Sequence, residues 1–285
     1  MEHLQEDIFL GRFIDPEGIA RIGRFYPSFS TESGETTAYT AVPIIGDIFG
    51  EFEELSDGMS FDQKDIRLLA PLQPSKVIGI GSNYKKHIVE MGRKTPAVPK
   101  VFLKSPTSVI GPNEPIQIPP HTERVHHEAE LGVVIGRTGA YISEADALEY
   151  VFGYTCVNDV TARDFQKEDG TFARAKGFNT FCPIGPWIKK TKRWENRKVK
   201  CYVNQKIRQD GNSSDMLFSV PQLISFISHI YTLYPGDIIA TGTPSGVGTL
   251  QNGDVVNVIV EGIGALPNSV MNRFDRPISH IQSNN

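Results

Sequence analysis

The apolar residues of this chain fall in short runs closed by Gly, Pro or Asp, and only rarely at helical spacing. Lys76–Ile80 runs into Gly81-Ser82-Asn83-Tyr84, and Leu131–Ile135 follows residues that alternate from His126. The turns Pro235-Gly236-Asp237 and Asn252-Gly253-Asp254 lead into β runs at Ile238–Thr241 and Val255–Glu261. Helical signals are fewer. Ser143 with Asp146 predicts a helix through about Val151, and Ser219 with Gln222 opens another, whose Leu223, Phe226, Ile227 and Ile230 keep helical spacing. No regular strand–helix–strand alternation appears, which argues against Rossmann and TIM-barrel layouts and predicts a β-rich α+β fold. The Gly79-x-Gly81 pair is no dinucleotide fingerprint, because the third glycine is missing and no helix pattern follows.

At 285 residues the chain is long for one compact unit. Residues up to about Leu69 read as short β segments, such as Ala38–Ile45 after the Glu32-Ser33-Gly34-Glu35 turn. Ala70-Pro71-Leu72-Gln73-Pro74 then stiffens the backbone twice, as a linker would. A small N-terminal β-rich domain over residues 1–70 and a large domain over 71–285 are therefore expected. A net charge of −4 provides no broad basic field, so nucleic acid is not an expected partner. The acidic start, Met1 to Asp7, does not look like a secretion signal, and no apolar run approaches the ~20 residues of a membrane span. With Cys156, Cys182 and Cys201 widely spaced and odd in number, buried thiols in a reducing cytoplasm are expected.

The sharpest chemical feature is His126-His127-Glu128-Ala129-Glu130-Leu131, at the entry to an apolar strand. Residues two apart on a strand share a face, which would set Glu128 and Glu130 about 7 Å apart. Two such carboxylates repel unless a cation lies between them or one is protonated. A solvated strand edge would also tolerate them. Phe152–Asp159 is mostly apolar and small, yet ends in Asn158-Asp159, and an Asp there is a turn cap or a ligand. Three converging carboxylates suit Mg²⁺, Mn²⁺ or Ca²⁺, whereas His126 as a further ligand would point to Zn²⁺ or Fe²⁺.

Glu128-x-Glu130, Asn158–Asp164, Thr241-Gly242-Thr243-Pro244-Ser245-Gly246-Val247-Gly248 and Gly81–Glu90 together resemble the fumarylacetoacetate hydrolase family, from about Ser75 to Met271. The resemblance implies a mixed β-roll or sandwich behind a small N-terminal β domain. It implies a metal, Mg²⁺ or Mn²⁺ (Ca²⁺ in crystals), held by Glu128, Glu130 and Asp159. It maps a catalytic dyad onto His87 and Glu90, whose spacing of three lets Glu90 orient the imidazole. Lys176 joins them as a catalytic oxyanion contact, with Arg163, Gln166 and Thr243 as substrate-binding residues. Arg163, four residues past Asp159, would lie on the metal's side if a helical turn follows the strand. Lys85–Pro99 would form a lid carrying the dyad. Gly79–Lys86 contains no acid, unlike the animal fumarylacetoacetate hydrolases, which favours the smaller three-carboxylate branch of acylpyruvate hydrolases, oxaloacetate decarboxylases and hydroxyhepta-diene-dioate isomerases.

The implied chemistry is an enolate problem on a small 2-oxo acid. The leading expectation is hydrolysis of a C–C bond in an acylpyruvate-type 2,4-dioxo acid, as in aromatic catabolism, with His87 activating water. Decarboxylation or isomerisation of a related oxo-diacid is the alternative, and a non-catalytic small-molecule binder a minor one. A homodimer is implied by the family, with apolar residues of Ile224–Tyr234 available to an interface.

Overall fold

The computed structural model describes residues 7–30, 36–55, 58–120 and 122–273. The Glu32–Glu35 turn, the first six residues and the tail beyond Arg273 lie outside them. The chain is mostly β, built on one large sheet and two smaller ones. Across the large sheet the strands run Phe52–Glu54, Thr36–Gly46, Ala20–Phe29, Ile8–Ile14, Cys182–Lys190, Val151–Asn158, Ala129–Ile135, Ile238–Ala240, Val77–Gly81 and Lys100–Lys104. Only Ile238–Ala240 and Val77–Gly81 pair in parallel along this path. The leading strand bonds directly to Cys182–Lys190, in the register Ile8 opposite Lys190. Phe9, Phe13 and Phe25 then close over Trp187, which is fully buried.

Packing on both faces explains the short apolar runs. Ala129–Ile135 and Val151–Asn158 are buried at every position, as expected of strands covered on both sides. One face, with Leu131, Val133 and Cys156, packs on Val199, Cys201, Val256 and Leu266 of the five-stranded sheet. The other face, with Val134, Phe152, Val157 and Ile184, packs with Ile48 and Leu72. All three cysteines are free and buried.

The Val220–Ser228 helix begins at the expected Ser219 with a complete Ser219/Gln222 capping box. It buries Leu223, Ile224 and Ile227 in the main core. The second expected helix is not an α-helix. Ser143 does accept a bond from the Asp146 N–H, but only a 3₁₀ turn at Ala147–Tyr150 follows before the chain enters the sheet at Val151.

Candidate metal centre and active site

The large sheet places the three carboxylates. Ala129 pairs with Asn158, and the Asp159 N–H donates to the Glu128 carbonyl at 2.9 Å, extending the ladder by one rung. Asn158 Oδ1 accepts the Glu128 N–H at 3.0 Å. Glu128, Glu130 and Asp159 thus converge, each buried, with one carboxylate oxygen from each within 4.8 Å of the other two.

One expectation about this stretch needs correcting. His126 does not share a continuous strand with the glutamates. Val125–His127 pairs with Thr161–Ala162 and Gly248–Thr249 in the three-stranded sheet, and the chain changes sheets at Glu128. Alternation is broken there, and the His126 ring turns to Thr249 while the carboxylates gather without it. Burial, then the Arg163 charge, pushes the His126 imidazole down to about 4.

Buried cations surround the triad. Lys176 Nζ donates to Glu128 Oε2 at 2.8 Å and to Asp159 Oδ2, lying 4.7 Å from the centre of the Phe102 ring. Arg163 donates to Glu128 Oε1 through one Nη and to Gln166 Oε1 at 2.9 Å through the other. Arg163 opens its helix directly after the Thr161–Ala162 strand, so no helical turn separates it from Asp159. Lys104 Nζ donates to Asp159 Oδ1 at 2.6 Å and to the Lys176 carbonyl at 2.8 Å.

These charges set opposite behaviour in neighbouring carboxyls. Burial works to raise Glu128, but Arg163 and Lys176 overcome it and hold Glu128 well below the ordinary range. Glu130 takes one Gly242 N–H at 2.8 Å. Burial, with Asp159 and Glu128 beside it, pushes Glu130 well above the ordinary range. Lys176 stays above its ordinary range despite burial, because Asp159 and Glu128 face it. Gly242 approaches with φ of 97°, and a Cβ there would sit 2.8 Å from the Asn83 Cβ, so the loop that delivers this N–H requires glycine.

His87 and Glu90 sit on one turn, at opposite ends of a bond between Nδ1 and Oε2 of 2.9 Å. The other Glu90 oxygen accepts the Gly246 N–H at 2.9 Å, tying this helix to the Thr-Gly-Thr-Pro loop. Ser82, His87, Arg93, Glu128, Glu130, Arg163, Gln166, Phe172, Lys176 and Thr243 share one narrow cleft. The residues read from sequence as metal-binding, catalytic and substrate-binding are therefore brought together at one place.

Three supporting residues had no assigned role. Lys104 is buried while its neighbour Leu103 is 43% exposed, an inverted strand phase that is the only local signal for it. Gln209 is fully buried although Ile207, two residues before it, is exposed, because the pairing register shifts between them. It accepts the Ala129 N–H at 3.0 Å and donates to Thr243 Oγ1 at 2.7 Å, while Thr243 donates to the Ala129 carbonyl at 2.8 Å. Asn83, just before the Lys85–Glu90 helix, donates to the Thr241 and Phe218 carbonyls at 2.7 and 3.1 Å.

The donor set fits a hard divalent cation. It is all oxygen and buried, and burial together with the neighbouring Asp159 and Glu128 charges raises Glu130. A buried Arg163 Nε and Asn158 Nδ2 beside it have no partner among the described residues.

Comparison with known proteins agrees with this geometry. The fumarylacetoacetate (FAA) hydrolase C-terminal family model matches residues 76–271. Oxaloacetate tautomerase YisK of Bacillus subtilis is 43% identical over 233 residues, 76% of this chain and 77% of that protein. The structure of 2-hydroxyhepta-2,4-diene-1,7-dioate isomerase from Mycobacterium marinum superposes with a TM-score of 0.84 at 40% identity, covering 94% of this chain and 100% of that one. Maleylpyruvate hydrolase from Sphingobium, in complex with manganese(II) and pyruvate, superposes with a TM-score of 0.66 at 32% identity, covering 76% and 78%. With the motifs, the fold and the buried acidic triad in agreement, the chain belongs to the fumarylacetoacetate hydrolase family.

Proposed function

We propose that this chain is a divalent-metal-dependent enzyme that moves a proton at the carbon beside the oxo group of a small 2-oxo acid. The observation carrying this reading is the shared cleft, which joins a buried three-carboxylate group to an oriented His–Glu pair. Glu128, Glu130 and Asp159 would hold Mg²⁺ or Mn²⁺. When bound, such a cation supplies a chelating centre for a 2-oxo carboxylate and lowers the cost of negative charge on the oxo oxygen.

The chain's own residues do the rest. Glu90 engages His87 Nδ1, leaving Nε2 as the atom that takes and returns a proton. The Gly246 N–H fixes Glu90, so the imidazole is oriented before substrate arrives. Lys176, with Gln166 and Arg163, provides positive charge and donors for the developing oxyanion. Thr243 lines the cleft and holds it against the Ala129 strand.

Hydrolysis of a C–C bond in a 2,4-dioxo acid is the second reading, favoured by the likeness to a maleylpyruvate hydrolase. There His87 takes a proton from water, the water oxygen bonds to the distal carbonyl carbon, and the released carbon is protonated. Turnover of enol oxaloacetate, an acylpyruvate and 2-hydroxyhepta-2,4-diene-1,7-dioate, with Mg²⁺, Mn²⁺ or excess chelator, separates the readings. Enol oxaloacetate is expected to lead. Turnover that survives chelation, or none on any oxo acid, overturns the metal-dependent reading.

We further propose a cytoplasmic homodimer with residues 1–70 as a leader domain on the catalytic unit. No helix among the described residues is long and apolar enough to cross a membrane. Ile230 and Tyr234 are exposed, whereas Ile224, Ile227 and Leu233 serve the protomer's own core. A monomeric mass by light scattering would remove the dimer.

A further inference from the structure

The cleft contains one cation without an acidic partner. Lys176 is held by Glu128 and Asp159, Arg163 by Glu128 and Gln166, and Lys104 by Asp159. Arg93 also lines the cleft, yet among the described residues it makes no salt bridge. Its recorded side-chain contact is Nη1 to the Ser82 hydroxyl, at a long 3.5 Å. Burial, then the facing Arg163 charge, lowers Arg93 from the ordinary arginine range, and the weaker attraction of Glu128 does not offset them.

The backbone places both residues deliberately. Gly92, with φ of 60°, closes the Lys85–Glu90 helix in a Schellman arrangement: its N–H bonds the Val89 carbonyl, and the Arg93 N–H returns to the Ile88 carbonyl at 3.0 Å. The turn that carries His87 and Glu90 therefore also sets Arg93 at the cleft. Ser82 is held at φ of 60°, a left-handed conformation that a non-glycine residue rarely adopts, and is buried in the cleft wall.

Charge balance gives the ligand's class. The acids at and around the cleft are Glu90, Glu128, Glu130 and Asp159, and the permanent cations are Arg93, Lys104, Arg163 and Lys176. They cancel when all are ionised. A divalent cation then leaves two positive charges, which a dicarboxylate neutralises and a monocarboxylate does not.

We propose that Arg93, assisted by Ser82, is the specificity residue that binds the distal carboxylate of a short 2-oxo diacid. The inference rests on the metal-dependent oxo-acid reading and narrows it to dianionic substrates. A planar guanidinium suits this task, since its paired N–H groups match the two oxygens of a carboxylate.

Calorimetry on the Mn²⁺-loaded full chain tests it with two unreactive probes, malate and 2-hydroxybutanoate. Both offer a carboxylate and a neighbouring hydroxyl to a metal, but only malate has the distal carboxylate. Wild type is expected to prefer malate by on the order of 10–100-fold, the scale of one hydrogen-bonded charge pair. Arg93→Gln should remove that preference, leaving 2-hydroxybutanoate and Mn²⁺ affinity within about twofold, and Arg93→Lys should restore part of it. No malate preference in wild type, or equal weakening of both probes by Arg93→Gln, overturns the role of Arg93. Binding of neither probe by wild type overturns the metal-dependent reading, and this inference falls with it.

Discussion

Glu90→Gln isolates the orientation of the proposed base with almost no change of shape. The carboxylate accepts from two sides, His87 Nδ1 and the Gly246 N–H, each at 2.9 Å. An amide has one acceptor oxygen and a donor NH₂. The variant must therefore lose one of the two anchors or turn its NH₂ to His87 Nδ1, which places the imidazole proton on Nε2 and removes the base. A hydrogen bond to a charged group contributes about 1.5–3 kcal/mol, so kcat should fall about 10–100-fold where orientation is needed in the transition state. The Glu90 side chain is partly solvent-exposed, which limits the effect on folding. Enol consumption measured by absorbance gives kcat and KM, and Mn²⁺ calorimetry on the same protein reports the carboxylate triad. The loss should appear in kcat, with Mn²⁺ affinity unchanged, since Glu90 lies outside the group of converging carboxylates. A kcat within about threefold of wild type, less than 1 kcal/mol in the barrier, would refute the orienting role. So would a parallel loss of Mn²⁺ binding.

Other expectations concern the triad and its supports. Glu128→Gln, Glu130→Gln and Asp159→Asn should each abolish Mn²⁺ and Mg²⁺ binding by calorimetry, and any variant with unchanged affinity leaves the ligand set. Lys104→Met strips a fully buried cation from Asp159 and should destabilise the metal-free protein by about 3–5 kcal/mol. Added Mn²⁺ supplies a replacement charge, so the Tm gain on loading should exceed that of wild type; equal gains would count against it. For Asp164, burial works upward, but the Glu123 and Arg124 N–H groups and the Thr122 hydroxyl outweigh it and hold the carboxyl below its ordinary range. Its stabilisation is fully present above the unfolded pKa, about 4, and is lost as pH falls through the lower folded value. Asp164→Asn should therefore lower Tm near pH 7, and the gap to wild type should narrow as pH falls below the unfolded value; a gap that stays constant on acidification would contradict the linkage.

Local chemistry in the chain determined a good deal. Short apolar runs ended by Gly-Asp turns required strands, and Ser219 with Gln222 required a helix start, because turns and caps are satisfied by neighbours a few residues away. Glu128, Glu130 and Asp159 stood out in the sequence as carboxylates beside apolar runs, but a solvated edge or a turn cap would also have explained them, and only the family resemblance joined them into one set. The tertiary structure alone decided the rest. Only the sheet change at Glu128 sends His126 away from the carboxylates, since alternation along one strand says nothing of where that strand leaves its sheet. Lys104 meets Asp159 across 55 positions, and Gln209 meets Ala129 across 80. Seen locally, each is an ordinary polar residue on a short strand. Burial converts it into an obligatory partner, because a charge or amide removed from water must find its bonds within the protein, and which groups lie within reach is set by the packing of distant strands.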